Sequence, residues 1–538
     1  MTLNRIVNRD VNPLLAPLPS FIASFRSEQV RAVLEVMAAL EDSDCVVLDA
    51  PTGSGKTVIA ETVRLLKRVA GGLYVCHSKG LQDQFSGDFS YARAVKGRGN
   101  YPTGRFPKKY PLISCDDCTW TDETKTCAMC DEKKACPYER AKAAALRADV
   151  AVLNSAYALT EWNGPGRFSG REFVVVDEAD TFERVVQGHI SVAVSARRMA
   201  RYGWEPPAKV TVAKCWEEWL DAHIPLCEKA MEAEDEAARK RLERLSRQMC
   251  TVRDGIRDGL PYAFTGRGGA VEFKPVVVSE YCKEAVWRHG TKWLLMSATV
   301  ISSSQMLRGL GFSGRHRTVQ MSSSFAAGNR TVIVKPTVNM SRSGGDDRFE
   351  TMARAVHAEV EGEQGRVLVH TVSYDLAGVV SRYLQRSTRR PVSTYRVAGD
   401  RATALSEFKR NGGGILVACS ADRGVDLPDD YCRLIVVAKV PFPNLGDRMV
   451  SMRLHMGDGQ TWYTVETVRS VVQMAGRGVR HKDDYCRTVI LDSQFRDGLW
   501  SRGAALFPRW FREAVVWQRS DLQQVNGNHR NRWSAPSV

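Results

Sequence analysis

One strand, one glycine-rich turn and one helix constrain this chain more than anything else in it. Cys45–Leu48 (CVVL) is a short, β-branched apolar run of the kind that forms a buried parallel strand. It leads into Asp49-Ala50-Pro51-Thr52-Gly53-Ser54-Gly55-Lys56-Thr57, and Val58–Arg68 after it reads as a helix. In that setting the glycines let successive backbone N–H groups turn toward an anion and cradle phosphate oxygens. The helix aims its positive N-terminal end at the same point. Thr52, Gly53, Ser54 and Gly55 form the cradle, Lys56 reaches the β- and γ-phosphates, and the Thr57 hydroxyl is placed to ligate Mg²⁺. Ala50 stands where such loops usually open with glycine, but the tight turn lies at Thr52–Gly55, so the mechanism survives. The element calls for an α/β fold around a parallel sheet and for a nucleoside triphosphate as ligand.

A second apolar run, Phe173–Val176 (FVVV), ends in Asp177-Glu178-Ala179-Asp180. A carboxylate at such a strand end holds Mg²⁺ in phosphate-loop enzymes, and Asp177 fits; Glu178 would orient and deprotonate an attacking water. Far along the chain, Gln473-Met474-Ala475-Gly476-Arg477-Gly478-Val479-Arg480 offers two arginines three residues apart, on one face if the segment is helical. Arginine stabilises the charge that builds on a transferred γ-phosphoryl group. With Gln473, they complete a catalytic set of Lys56, Asp177, Glu178, Gln473, Arg477 and Arg480, and a second lobe is needed to carry the last three.

A chain of 538 residues is too long for one core. Strand signals in the first lobe are Cys45–Leu48, Leu73–Cys76, Val150–Leu153 and Phe173–Val176; those of the second are Thr331–Val334, Arg366–His370, Ile415–Ala418, Leu434–Ala438 and Thr488–Leu491. The expected organisation is a first lobe from residues 1–96, 141–182 and 291–325, interrupted by a cysteine-rich insertion at 97–140 and a mostly helical one at 183–290. A second lobe follows at 326–520 and a disordered tail at 521–538. In the second insertion, Glu228–Met249 is rich in helix formers, and Leu242, Leu245 and Met249 make an apolar stripe. The formal net charge of +15 suggests an anionic partner. No run of 18 apolar residues and no secretory leader is present, so we expect no membrane span, a cytoplasmic setting and reduced thiols.

The order of these motifs resembles superfamily 2 helicases. FRSEQ (Phe25–Gln29) looks like the adenine-contacting element, with Gln29 as reader, and VCHSKGLQDQ (Val75–Gln84) like the motif that touches the DNA backbone. LLMSAT (Leu294–Thr299) resembles the coupling motif, while VLVHTVSY (Val367–Tyr374) and ADRGVDLP (Ala421–Pro428) look like second-lobe motifs, which adds Gly424 and Asp426 to the nucleotide-binding candidates. Within the superfamily the likeness is to the iron–sulfur group containing XPD and DinG, carried by KGRGNYP (Lys96–Pro102), CPYERAK (Cys136–Lys142), SSSFAAGNR (Ser322–Arg330) and KVPFPNLGD (Lys439–Asp447). The resemblance implies two RecA-like lobes, Mg-ATP hydrolysis between them, and a monomer moving 5′→3′ on single-stranded DNA and opening forked duplexes. Lys79, Gln82, Lys96, His370, Thr371 and Ser373 are the candidates for gripping the backbone. An RNA-directed helicase, whose signature also reads DEAD, and an ATP-gated binding switch without unwinding are the alternatives. DNA repair and DNA replication both stay open as settings.

Cys115, Cys118, Cys127, Cys130 and Cys136 are spaced C-x2-C-x8-C-x2-C-x5-C. Thiolates at this density suit soft metals. The resemblance implies a [4Fe–4S] cluster, and a Cys₄ zinc site is the alternative. The family places its first ligand directly after the GR-x-NY element, where this chain has Thr103. The first ligand is then Cys118, with Cys127, Cys130 and Cys136 completing the set, or Cys115 in its place.

Overall fold

The structure, a computed structural model, describes residues 6–102, 114–116, 120–121, 126–127, 136–234, 236–323, 325–341, 345, 347–395, 397–419, 427–481 and 483–518. The chain divides into two compact units, residues 1–321 with 444–460 and residues 322–443 with 461–538.

The first unit is built on a seven-stranded sheet in the order His316–Gln320, Cys45–Asp49, Gly290–Ser297, Arg171–Asp177, Gly72–Cys76, Val150–Asn154, Ala92–Ala94. Every pairing is parallel. Side chains alternate between two apolar layers, as a strand's two-residue period requires. Cys45, Val47, Leu73, Val75, Val174 and Val176 enter one, and Val46, Leu48, Tyr74, Cys76, Val175 and Met296 the other. Helices cover both faces, which is why the strands read as unbroken apolar runs. Helices Ser27–Asp42 and Lys56–Leu66 put Val33, Val36, Ile59 and Val63 into the second layer, while Ser155–Trp162 and Phe182–Ile190 put Leu159, Trp162, Phe182 and Val186 into the first.

The insertion after Asp180 has its own core. Trp216, Trp219 and Leu220 of helix Ala213–Ala230 meet Leu242, Leu245 and Met249 of helix Glu236–Arg257. The expected helical stretch at Glu228–Met249 straddles these two helices, because the chain breaks around Met231–Ala233 before the second begins. Helices dominate, but a three-stranded antiparallel sheet of Val192–Val194, Ala270–Pro275 and Tyr262–Arg267 closes the core, so "mostly helical" understates the architecture. Gly268 and Gly269, at φ 59° and 74°, turn the hairpin. A two-residue loop with both residues at positive φ matches the right-handed strand twist, and Gly-Gly supplies it without strain. In the cysteine-rich insertion the described parts are a Pro102–Ser114 bridge, the strand pair Trp120–Thr121 and Thr126–Cys127, and helix Pro137–Arg147.

The second unit repeats the parallel plan, in the order Val392–Thr394, Ile415–Ala418, Val367–His370, Leu434–Val437, Arg487–Asp492, Val332–Val338, Val515–Trp517. Helices Arg348–Glu361 and Tyr374–Ser387 bury Met352, Val356, Leu376, Val380 and Leu384 against it. Residues 444–460, expected in the second lobe, belong to the first unit. The Gln305 amide donates to Asp458 at 2.9 Å, and the Arg448 guanidinium donates to the Thr211 carbonyl at 2.7 Å. The expected tail at 521–538 lies outside the described residues. No helix among the described residues is long and apolar enough to cross a membrane.

Candidate active site

The carboxyl ends of the first sheet's central strands gather the polar groups. After Asp49 the chain turns through Gly53 and Gly55, at φ 76° and 82°, and enters helix Lys56–Leu66. Those left-handed positions suit glycine. At Gly55 a Cβ would also collide with the Gln29 side-chain amide. Gln29, buried in the first turn of helix Ser27–Asp42, donates from Nε2 to the Ser54 carbonyl at 2.9 Å and accepts the Arg26 backbone N–H at 3.0 Å. The Arg26 guanidinium donates to the Gly53 carbonyl at 2.8 Å. FRSEQ therefore braces the phosphate loop from outside, while the Ser54 hydroxyl is buried in the loop with no hydrogen-bond partner among the described residues. An orphaned buried hydroxyl in a glycine-rich turn just before a helix N-terminus fits a phosphate oxygen. Lys56 Nζ reaches the Ala50 carbonyl at 3.4 Å.

Asp177 ends the strand two places from Cys45–Asp49 in the sheet, beyond Gly290–Ser297, and Tyr74 joins it to the loop. The Tyr74 hydroxyl donates to Asp177 Oδ2 at 2.9 Å and lies 3.4 Å from Thr57 Oγ1. The other Asp177 oxygen accepts the Glu178 N–H at 2.9 Å. Burial pushes the Asp177 carboxyl above its ordinary range, against the Lys56 charge and the Tyr74 hydrogen bond. A bound cation would restore the ionised form. Asp49 is pushed up to about 6 by burial, again opposed by Lys56. Thr57 and Asp177, linked through one hydroxyl, are the residues that would hold Mg²⁺. Tyr74 gave one sequence signal that went unread: a lone phenol in a strand otherwise aliphatic on both faces.

Glu178 sits at φ 53°, a left-handed conformation that costs a non-glycine residue on the order of 1 kcal/mol. Its neighbour Asp180 accepts from Ser297 Oγ at 2.7 Å and Thr299 Oγ1 at 3.2 Å. LLMSAT is thereby tied to the acidic strand end, and the carboxylate side of the site is held from two strands.

In the second unit, Gln473 is buried near the end of helix Gly459–Ala475. The helix stops there, so Arg477 and Arg480 lie beyond it and share no helical face. Gly476 and Gly478 explain the stop, since glycine is costly inside a helix. Arg477 Nε donates to the Gln473 carbonyl at 3.2 Å, and the Arg480 N–H donates to Asp484 at 3.0 Å. Asp484 also pairs with Arg433 at 2.9 Å. The arginine segment is thus anchored through its backbone and a buried ion pair. Gly424 and Asp426 lie outside the described residues.

Several expected grip residues have other work. Gln82 is fully buried and donates to the Val95 and Val152 carbonyls, both at 3.0 Å. His370 and Thr371 are also fully buried, and Thr371 Oγ1 donates to the Ala418 carbonyl at 3.2 Å. Ser373 caps helix Tyr374–Ser387 through the Leu376 N–H. Groups without exposed surface cannot touch a strand of DNA from where they stand. Lys79 is exposed, and Lys96 pairs with Asp83 at 2.6 Å.

Of the cysteines, Cys115 and Cys136 are both buried, with their sulfurs 3.8 Å apart. Two thiolates on one tetrahedral ion, each at about 2.3 Å, stand about 3.8 Å apart, so the pair fits a shared soft metal. Cys118 and Cys130 lie outside the described residues, as does the Cys127 side chain.

Residues 356–514 match the family model of the helicase C-terminal domain. The Caenorhabditis elegans regulator of telomere elongation helicase 1 homolog is 29% identical over 129 residues, 21% of this chain and 12% of the relative. The Gallus gallus Fanconi anemia group J protein homolog is 24% identical over 119 residues, 20% of this chain and 9% of the relative. A solved XPD helicase superposes with a TM-score of 0.62 at 15% identity, covering 93% of this chain and all of that one. Through this domain and this fold the chain is similar to superfamily 2 helicases of the XPD/DinG type. A solved Xpd4 from S. tokodaii superposes with a TM-score of 0.57 at 15% identity, covering 92% of this chain. At such identity these superpositions establish the fold alone, two RecA-like lobes with insertions in the first. The matched stretch is about an eighth or less of each curated relative's length.

Proposed function

We propose that the chain is an ATP-driven DNA helicase. One observation carries this: the hydrogen-bonded path from Thr57 through Tyr74 to Asp177, set beside Lys56 and a phosphate cradle with an unpartnered buried hydroxyl. Lys56 and the loop amides hold the phosphates, Thr57 and Asp177 hold Mg²⁺, and Glu178 orients the attacking water and takes its proton. Mg²⁺ when bound supplies charge neutralisation between the phosphates. Gln473, Arg477 and Arg480 of the second unit act on the charge that builds on the γ-phosphoryl group. The cycle drives movement along single-stranded DNA, 5′→3′, and opening of forked DNA by a monomer in the cytoplasm.

The cysteine insertion holds a [4Fe–4S] cluster in this reading. The contact with Cys136 supports Cys115 as a ligand, with Cys127, Cys130 and Cys118 as the further candidates. Metal counts on anaerobically purified protein decide it: iron with a visible absorption band is expected, and zinc alone makes the site a zinc centre.

Two measurements test the motor. ATP turnover should rise with single-stranded DNA, and stimulation by RNA alone would move the assignment to an RNA helicase. Strand displacement on a fork with a 5′ tail should require ATP. Tight ATP-gated binding without displacement would make the chain a switch.

A further inference from the structure

Helix Glu236–Arg257 of the insertion divides its cations between two tasks. Toward its end, Arg253 and Arg257 pair with Asp221, Asp254 and Glu217. Earlier, Arg241, Arg244 and Arg247 open onto two clefts that follow one another along the helix. The first, of about 420 Å³, is lined by Arg241 together with Arg197, Arg198 and Arg201 of helix Ala196–Tyr202. The second, of about 560 Å³, is lined by Arg244 and Arg247, with Asn163 of the first motor sheet's covering layer and Gln248 beside them. His189 lines it too, and burial with the Arg244 charge lowers its basicity.

The charge balance is lopsided. Among the described residues lining the two clefts, the one carboxylate is Glu234, committed to Arg201 at 2.5 Å and to the Tyr202 hydroxyl at 2.8 Å. Among the described residues, none that lines the second cleft is a carboxylate. Its neutral groups are amides, hydroxyls and a phenol, which hydrogen-bond without choosing a sequence. From Arg241 to Thr251 the track runs about 15 Å at 1.5 Å per residue. Each cleft has small-ligand dimensions, room for a nucleotide or two and too little for a duplex.

We propose that this arginine-lined track on the insertion binds the sugar–phosphate backbone of a single strand, at a site separate from the motor motifs. The site rests on the helicase reading and deepens it. Among the described residues, six guanidiniums and one carboxylate line the two clefts, with Arg244 and Arg247 in the cleft whose described lining is free of carboxylates; guanidinium forks match phosphate oxygens, so the lining forms an electrostatic track for a polyanion. The segment RKRLERLSRQ itself, whose charges alone read as a solvated face, places cations at 241, 244 and 247 away from the apolar Leu242, Leu245 and Met249.

The test is anisotropy of a fluorescent oligo-dT with the full chain in the absence of nucleotide. The double variant R244E/R247E should weaken binding by about 10-fold or more at low salt. Loss of two phosphate contacts should lower the slope of log affinity against log salt by about 1.4. R244Q/R247Q should give the same direction at smaller size, and a melting curve checks that both variants fold. Fluorescent-nucleotide binding should be unchanged. Photocrosslinking with 4-thio-dT should label the peptide 241–251 in the wild type. Unchanged oligo-dT affinity and slope in both folded variants, with no label in that peptide, would overturn the track and leave the helicase reading standing. Failure of the wild type to bind oligo-dT at all takes down both.

Discussion

The two seven-stranded parallel sheets share a plan and differ in how they use the carboxylates at their strand ends. Asp177 in the first unit and Asp492 in the second are both buried, and burial raises both. Asp492 accepts three backbone N–H groups, from Met340, Gln494 and Val440, at 3.1, 3.0 and 2.8 Å. Asp177 accepts one phenol and one backbone N–H. A carboxylate has about four lone-pair sites, so Asp492 is nearly saturated by its own chain while Asp177 keeps capacity for something from outside. The same residue type at a strand's carboxyl end is structural mortar in one unit and keeps open acceptor capacity in the other. What separates them is how many donors the neighbouring loops bring.

This contrast can be broken at four points. Replacing Lys56 by Ala should have the largest effect, reducing ATP turnover by roughly 1,000-fold while the melting temperature holds, because the lost charge acts on phosphates. Turnover near wild type would remove the phosphate loop from the mechanism. Next, Asp492→Ala should cost about 3 kcal/mol in urea unfolding, since it strands three buried N–H groups. Nucleotide binding to the folded variant should be unaffected, and a selective loss of binding would erase the proposed division of labour.

The third point is Asp49, whose folded pKa of about 6 lies above its ordinary 3.8 because burial disfavours the charge. A raised folded value means its contribution is fully present below about pH 4 and is lost as pH rises through 6. Asp49→Asn should therefore match the wild type near pH 4 and exceed it by about 3 kcal/mol at pH 8, measured by unfolding without nucleotide. A pH-independent difference would show that Asp49 is not ionising in this window. The smallest effect is expected at Tyr74. Tyr74→Phe keeps the ring in the core and removes the hydroxyl between Thr57 and Asp177. Fluorescent ADP should bind about 5-fold more weakly with Mg²⁺ and equally well in EDTA, about 1 kcal/mol for one hydrogen bond. Equal weakening in both buffers would make Tyr74 a packing residue only.

Much of the fold was legible because parallel strands covered on both faces leave apolar runs. The strands around Val46, Val75, Val152, Val175, Leu368, Leu416, Ile435 and Val489 all carried that signal. The peripheral strands did not. His316–Gln320 has one buried side chain in five, and Ala92–Ala94, Val392–Thr394 and Val515–Trp517 are three residues each, too short for a pattern. Gly268-Gly269 announced the hairpin that the helical reading passed over. Within the site, Lys56, Thr57 and Asp177 follow from local spacing. Tyr74 acts across strands, at 103 residues from its partner Asp177, and no local motif encodes such a contact. Motif membership also misled: Gln82, His370 and Thr371 lie in motif segments yet support them from inside.

Glu178 offers two different optima to a mutational library at one codon. At φ 53° and ψ 43° the backbone there favours glycine. Selection of variants for heat resistance alone should enrich glycine at 178. Selection for ATP-dependent growth or turnover should return glutamate. If one residue won both contests, position 178 would be held by its shape alone; divergent winners would mark a place where the chain trades durability for chemistry.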